Sequence, residues 1–188
     1  ALHLQSHTTK NPCSILTAPA IPCYQYQTAG DVGVGYDIYL VVGDIQPVSG
    51  FPPEGVSALS CGIEYDAVPG QGLDVYSWTY CGDGLEFPKE GPHGPWPNAG
   101  AGIRLTWLSC STRDIPPSGG HKLAGSFYVY AYAADRFSVT ENRNLESGPE
   151  LKLAKCSGFE LDLLVDAVGV AAFSAGMTDP GFNPCSQD

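Results

Sequence analysis

Positive charge is scarce in this chain. Nine Lys and Arg stand against 20 Asp and Glu, giving a net charge of −11 over 188 residues. Nucleic acid and anionic membrane surfaces select for clustered Lys and Arg, so partners of both kinds are disfavoured. Long apolar runs are missing as well, and none approaches the roughly 18 residues that a membrane span needs. No Cys-x-x-Cys occurs, and His3, His7, His93 and His121 are scattered, which argues against zinc and haem attachment. G-x-S-x-G, H-E-x-x-H and the phosphate-binding glycine loop with its lysine are absent. A sustained 3.6-residue period is lacking too. Asp162 to Ala175 is the one helix candidate, and its valines and glycines favour strand.

What is present is alternation. In Ser126–Ala134, Phe127, Val129, Ala131 and Ala133 share one parity, while Tyr128, Tyr130 and Tyr132 share the other. A period of two sends the sets to opposite faces of a strand, one apolar and one a row of three tyrosines. A ring with a polar tip suits a half-covered surface. Further strands are expected at Val34–Val42, Val56–Tyr65, Leu73–Tyr80 and Ile103–Ser109, then near 151–156, 159–165 and 169–173. Asp135–Val139 reads as a continuation of the tyrosine strand past a bend. Short strands divided by Gly and Pro predict an all-β antiparallel sandwich with Greek-key connections. Residues 1–30 read as an N-terminal extension, a short strand bearing Leu2 and Leu4 and then a loop, with the sandwich domain over 31–188. Residues 81–102 read as a long Gly/Pro loop whose one large apolar group is Trp96.

Seven cysteines without metal-ligand spacing imply disulfides and an oxidising compartment, hence a secreted or surface-exposed protein. A first residue other than methionine agrees with a processed chain. Cys61 lies in phase with Leu59 and Ile63 on a core face, so it is the expected buried free thiol. The other six allow about 15 connectivities. Local economy pairs Cys13 with Cys23, Cys81 with Cys110 and Cys156 with Cys185. One cysteine bonded to another chain is the rival use of the odd count.

The early strand Tyr36–Val42, the Gly-Val-x6-Ile-x-Tyr-Asp segment from Gly55 to Asp66, and the strand with Val75 and Trp78 together resemble a cohesin-like or related immunoglobulin-like sandwich. The resemblance covers roughly residues 34–140 and speaks to fold, not activity. Trp78-Thr-Tyr-Cys81, Leu85-Glu-Phe-Pro88, Leu105-Thr-Trp107, Phe127–Ala134 and Gly181-Phe-Asn-Pro-Cys185 are also similar to a group of secreted bacterial proteins with no established activity. Cys61 and the cysteine-bearing N-terminal extension depart from that group's pattern.

No catalytic, cofactor-binding or metal site is expected. Pairs such as Asp83 with Glu86, or Glu64 with Asp66, are read as solvated loop acids. The carboxylates near glycines in 66–74 and 81–86 fit turn chemistry better than calcium. Two functions compete. The first is a non-enzymatic structural subunit of an extracellular filament or surface assembly, a homopolymer joined by strand addition or sheet-face packing. In it Ala1–Gln5 docks on the next copy and Tyr128, Tyr130 and Tyr132 line a contact face. The second is a secreted carbohydrate-binding module, in which those tyrosines with Trp78, Trp96 or Trp107 stack on sugar rings. Coverage of the tyrosine face by the chain's own N-terminal segment or long loop opposes both.

Overall fold

The computed structural model describes residues 1–8, 10–17, 22–42, 55–88, 90–109 and 122–184. Among them are twelve strands in two sheets, with short 3-10 turns and no α-helix. The strands are β1 (Leu2–Ser6), β2 (Ala29–Gly30), β3 (Gly35–Val42), β4 (Val56–Glu64), β5 (Leu73–Tyr80) and β6 (Leu85–Pro88). They continue as β7 (Gly102–Thr106), β8 (Lys122–Ala131), β9 (Asp135–Thr140), β10 (Lys152–Lys155), β11 (Glu160–Asp162) and β12 (Val170–Phe173). The first sheet runs β1-β3-β8-β5, and the second runs β11-β10-β4-β9-β12-β2, with β7 pairing β4 and β6 pairing β7. All pairings are antiparallel except β12 with β2. This is the β-sandwich that the alternation predicts. No helix among the described residues is long and apolar enough to cross a membrane.

The core follows parity. Tyr36, Ile38, Leu40 and Val42 of β3 face Leu59, Cys61 and Ile63 of β4 across the sandwich, with Phe127, Val129 and Ala131 of β8 beside them. Cys61 is a free buried thiol, and burial pushes its pKa up to about 12, which keeps it an unreactive apolar group.

Three expectations are corrected here. Asp135–Thr140 does not prolong the tyrosine strand; after the corner at Tyr132–Ala134 it crosses to the second sheet, pairing β4 and β12. Cys13 bonds Cys81, not Cys23, and Cys81 is therefore not joined to Cys110. Folding brings the first 3-10 turn (Pro12–Thr17) against β5 and β8, so nearness in space overrides nearness in sequence. Cys23 and Cys156 are also disulfide-bonded. Cys110 and Cys185, and with them the expected Cys156–Cys185 bridge, lie outside the described residues.

The N-terminal segment is part of the sandwich. β1 is hydrogen-bonded to β3 over Leu2↔Leu40 to Ser6↔Tyr36. Its other edge meets residues 26–28, where Leu4 N–H donates to Gln27 O at 2.7 Å. Leu2 and Leu4 are 0% and 2% exposed. The alternation suggests an interface with another copy for both, whereas the structure places them in this chain's own core. Their leucines share the parity of Ile38 and Leu40, so pairing with β3 buries them at once.

Candidate functional site

The outer face of the first sheet is ordered in rows by its registers. One row is His3, Tyr39, Ser126 and Thr79; the next is Gln5, Asp37, Tyr128 and Ser77; the third begins at Gly35 and runs through Tyr130 to Asp74. The first row is covered at His3, Tyr39 and Ser126, while Thr79 at its end stays exposed. Cys23 and Tyr26 pack over Tyr39, Val41 and Leu123 as a second small core, and the Cys13–Cys81 bond fastens the preceding turn beside it. His3 lies within this cover, with ring centroids 5.2 Å from Tyr26 and 6.2 Å from Tyr39. The expected self-covering of the face by the N-terminal segment therefore applies to half of it.

The other half is open and aromatic. His7 sits 4.3 Å from Tyr128 between ring centroids, and Tyr128 sits 5.5 Å from Tyr76. Tyr130 and Tyr132 are 4.7 Å apart. The hydroxyls of Tyr76 and Tyr132 meet at 2.8 Å, and Tyr130 donates to Gly33 O at 2.9 Å. The hydrogen bond with Tyr132 lifts the Tyr76 hydroxyl to about 12, so it stays neutral. Tyr76 and Tyr132 are 53% and 45% exposed. Beneath His7, the 2%-exposed Asp37 has both oxygens 3.0 Å from His7 Nδ1.

Tyr76 joins this cluster through an irregularity. The register of β5 on β8 shifts between Val75 and Ser77, leaving Tyr76 as the extra residue of a bulge. Bulges re-aim side chains and break the period of two. Past it the phase reverses, so Trp78 lies opposite Phe127 and turns inward, its ring 4.4 Å from that of Phe127.

The tryptophans proposed for a sugar platform are consequently elsewhere. Trp96, expected on the ligand face, packs against the core edge-on to Trp78 at 5.4 Å and 5.5 Å from Phe127. Trp107 is buried. The apolar ring in the Gly/Pro loop is the loop's anchor.

That loop forms one wall of a cleft of 510 Å³ beside the tyrosine cluster, with Tyr65, Asp74, Tyr76, His93 and Asn98 in its lining. A site of this size lies within the roughly 300–1,000 Å³ usual for small ligands. It is not legible in the sequence, because Gly/Pro-rich loops carry no periodic signal for which side chains converge. The carboxylates weighed for calcium accept from backbone N–H groups: Asp66 from Val68 and Asp74 from Gly70 within their turn, and Asp83 from Leu108 and Ser109 across to the end of the neighbouring strand. No cluster of three metal-ligating side chains occurs among the described residues.

The second sheet presents a different outer surface. Arg104 pairs with Glu150 at 3.0 Å and Lys152 with Glu160 at 3.4 Å, the pattern of a solvated face.

No family model and no curated protein matches the sequence. Among solved structures, the chain is similar to a cohesin module from the family 33 glycoside hydrolase of Clostridium perfringens ATCC13124. The TM-score is 0.51 at 10% identity, covering 79% of this chain and 90% of the module. At that identity the likeness speaks to architecture alone. The chain has the cohesin-like β-sandwich fold.

Proposed function

We propose that this chain is a secreted, non-enzymatic β-sandwich that binds neutral carbohydrate on the open tyrosine half-face. The observation that carries the reading is the division of one sheet face. The chain's own segment covers Tyr39, Val41 and Leu123, yet Tyr76, Tyr128, Tyr130 and Tyr132 are left exposed or half-buried beside a cleft. Tyrosine rings offer apolar area for the faces of sugar rings and hydroxyls for their edges. A net charge of −11 sets no penalty on a neutral ligand. The disulfides fit an extracellular setting. The test is affinity electrophoresis in gels cast with neutral polysaccharides. Retarded migration, relieved in Tyr128→Ala and Tyr130→Ala, is the expected result; migration unaffected by every polysaccharide would end the reading.

The second reading is a filament or surface-layer subunit packed through the same tyrosines, which also suit protein interfaces. Two observations weigh against it. Strand exchange through β1 would withdraw Leu2 and Leu4 from the core. Face-to-face stacking would bring together copies that each carry −11. Regular polymers seen by electron microscopy of unreduced material would restore it to first place.

A further inference from the structure

We propose that the cleft beside the tyrosine cluster is a subsite for one neutral sugar residue, with Tyr76 shared between cleft and face. The inference rests on the carbohydrate reading above and extends it to residues that lie off the sheet face.

Chemistry of the lining sets the ligand class. Tyr65 and Tyr76 supply rings, while Asp74, His93 and Asn98 supply polar groups. No Lys or Arg is among the described residues that line it. Asp74 is acceptor-only as a carboxylate, whereas Asn98 both donates and accepts. Uronates and phosphates would meet the Asp74 charge with no cation among those described residues to offset it. A wholly apolar ligand would desolvate Asp74 and Asn98 without satisfying them. Hydroxyls on a ring with apolar faces satisfy both requirements.

The site is held in shape before any ligand arrives. Trp96 plugs the loop into the core. Tyr65 Oη donates to Pro97 O at 3.1 Å, Asn144 Nδ2 to Gly94 O at 3.1 Å, and Gly100 N–H to Ile63 O at 2.8 Å. Gly94 and Gly100 have φ of +79° and +78°. A Cβ on Gly94 would sit 2.8 Å from Asn98 Nδ2, and one on Gly100 would sit 2.8 Å from His93 Nδ1. Only glycine allows the backbone to approach those two polar side chains so closely. Such preorganisation lowers the ordering cost of binding.

Tyr76 connects the two regions. It lines the cleft, its hydroxyl meets that of Tyr132, and its ring neighbours Tyr128. Asp74 lines the cleft and lies opposite Tyr130 in the register. An extended oligosaccharide seated on the tyrosines thus has a terminal residue in reach of Asp74 and Asn98.

The experiment is an amide NMR titration of the intact chain with cellohexaose, xylohexaose, mannohexaose and chitohexaose, with oligogalacturonate as the acidic probe. At least one neutral probe is expected to shift Asp74–Tyr76 and His93–Ala99 together with Tyr128–Tyr132. Asn98→Ala and the milder Asp74→Asn are each expected to weaken that probe by roughly tenfold, the scale of one hydrogen bond in a desolvated site. Shifts confined to Tyr128–Tyr132 would overturn the subsite and leave the face reading standing. Shifts confined to the cleft would overturn the face reading and the shared role of Tyr76. Oligogalacturonate binding as tightly as the neutral probes would overturn the ligand class, and no shift with any probe would overturn both proposals.

Discussion

Cys13 and Cys81 are bonded across 68 residues of chain, tying the turn after β1 to the end of β5. In the chain-entropy picture, closing a loop of that length stabilises the folded state by about 4 kcal/mol. The bond also fixes the segment that covers Tyr39. Replacing both cysteines by serine is expected to lower unfolding free energy by about 2–4 kcal/mol while the sandwich persists. Hydrogen exchange at Tyr39 and Leu123 should rise more than exchange at Ile63. Chemical denaturation and exchange mass spectrometry measure both. Non-reducing peptide mapping checks the pairing itself, and a Cys13–Cys23 peptide would sink it.

His3 makes the same cover sensitive to acid. Its Nδ1 accepts Gln27 N–H at 3.0 Å, which requires that nitrogen to be unprotonated. Burial lowers the His3 pKa from 6.5 to about 4. The unfolded chain therefore binds more protons between those values, and stability is complete above about 6.5 and lost as pH falls toward 4. The shift corresponds to roughly 3 kcal/mol at its limit. Denaturation midpoints measured from pH 7 to pH 4 should fall. In His3→Gln that part of the slope should vanish, and an unchanged slope would exclude His3 as its source.

Leu4 separates a core strand from a docking strand. Leu4→Ala is expected to cost about 2–5 kcal/mol, as for other fully buried leucines. Deleting residues 1–6 should expose the inner edge of β3 and yield an unstable or aggregating chain. Circular dichroism and light scattering read these outcomes. A truncated chain that stays folded and monomeric at the parent midpoint would show that β1 is dispensable to the fold.

The sequence carried its clearest message where alternation was strict. Tyr128, Tyr130 and Tyr132 do turn away from Phe127, Val129 and Ala131, because β8 holds its period over the inner row. Cys61 was readable for the same reason. Tyr76 was not, since a bulge adds one residue without a compositional mark and reverses the phase that follows. Asp135–Thr140 looked like an extension of β8 because a bend and a crossing between sheets begin with the same small residues. The Leu85–Pro88 strand is too short for alternation to register against the surrounding glycines. Cysteine pairing by shortest separation failed at Cys13, where folding sets the distance. His93 and Asn98 had no pattern at all, as their approach depends on left-handed glycines in a loop.

Trp96 is where loop, core and cleft meet, and its substitution discriminates between an anchor and a ligand platform. Its ring contacts Trp78 and Phe127 from a loop whose backbone also binds Tyr65 and Ile63. Trp96→Ala should remove this anchor at a cost of about 3 kcal/mol or more, the scale for a large aromatic lost from packing. Amide exchange over residues 91–100 should accelerate, and any ligand held in the cleft should weaken because its wall is no longer fixed. Trp96→Phe should restore most of the stability and most of the binding, since a smaller ring still fills the contact with Phe127. A ligand-stacking tryptophan predicts the opposite pattern, with binding lost and denaturation midpoint unchanged. Thermal denaturation and titration of the two variants side by side therefore decide which role Trp96 has.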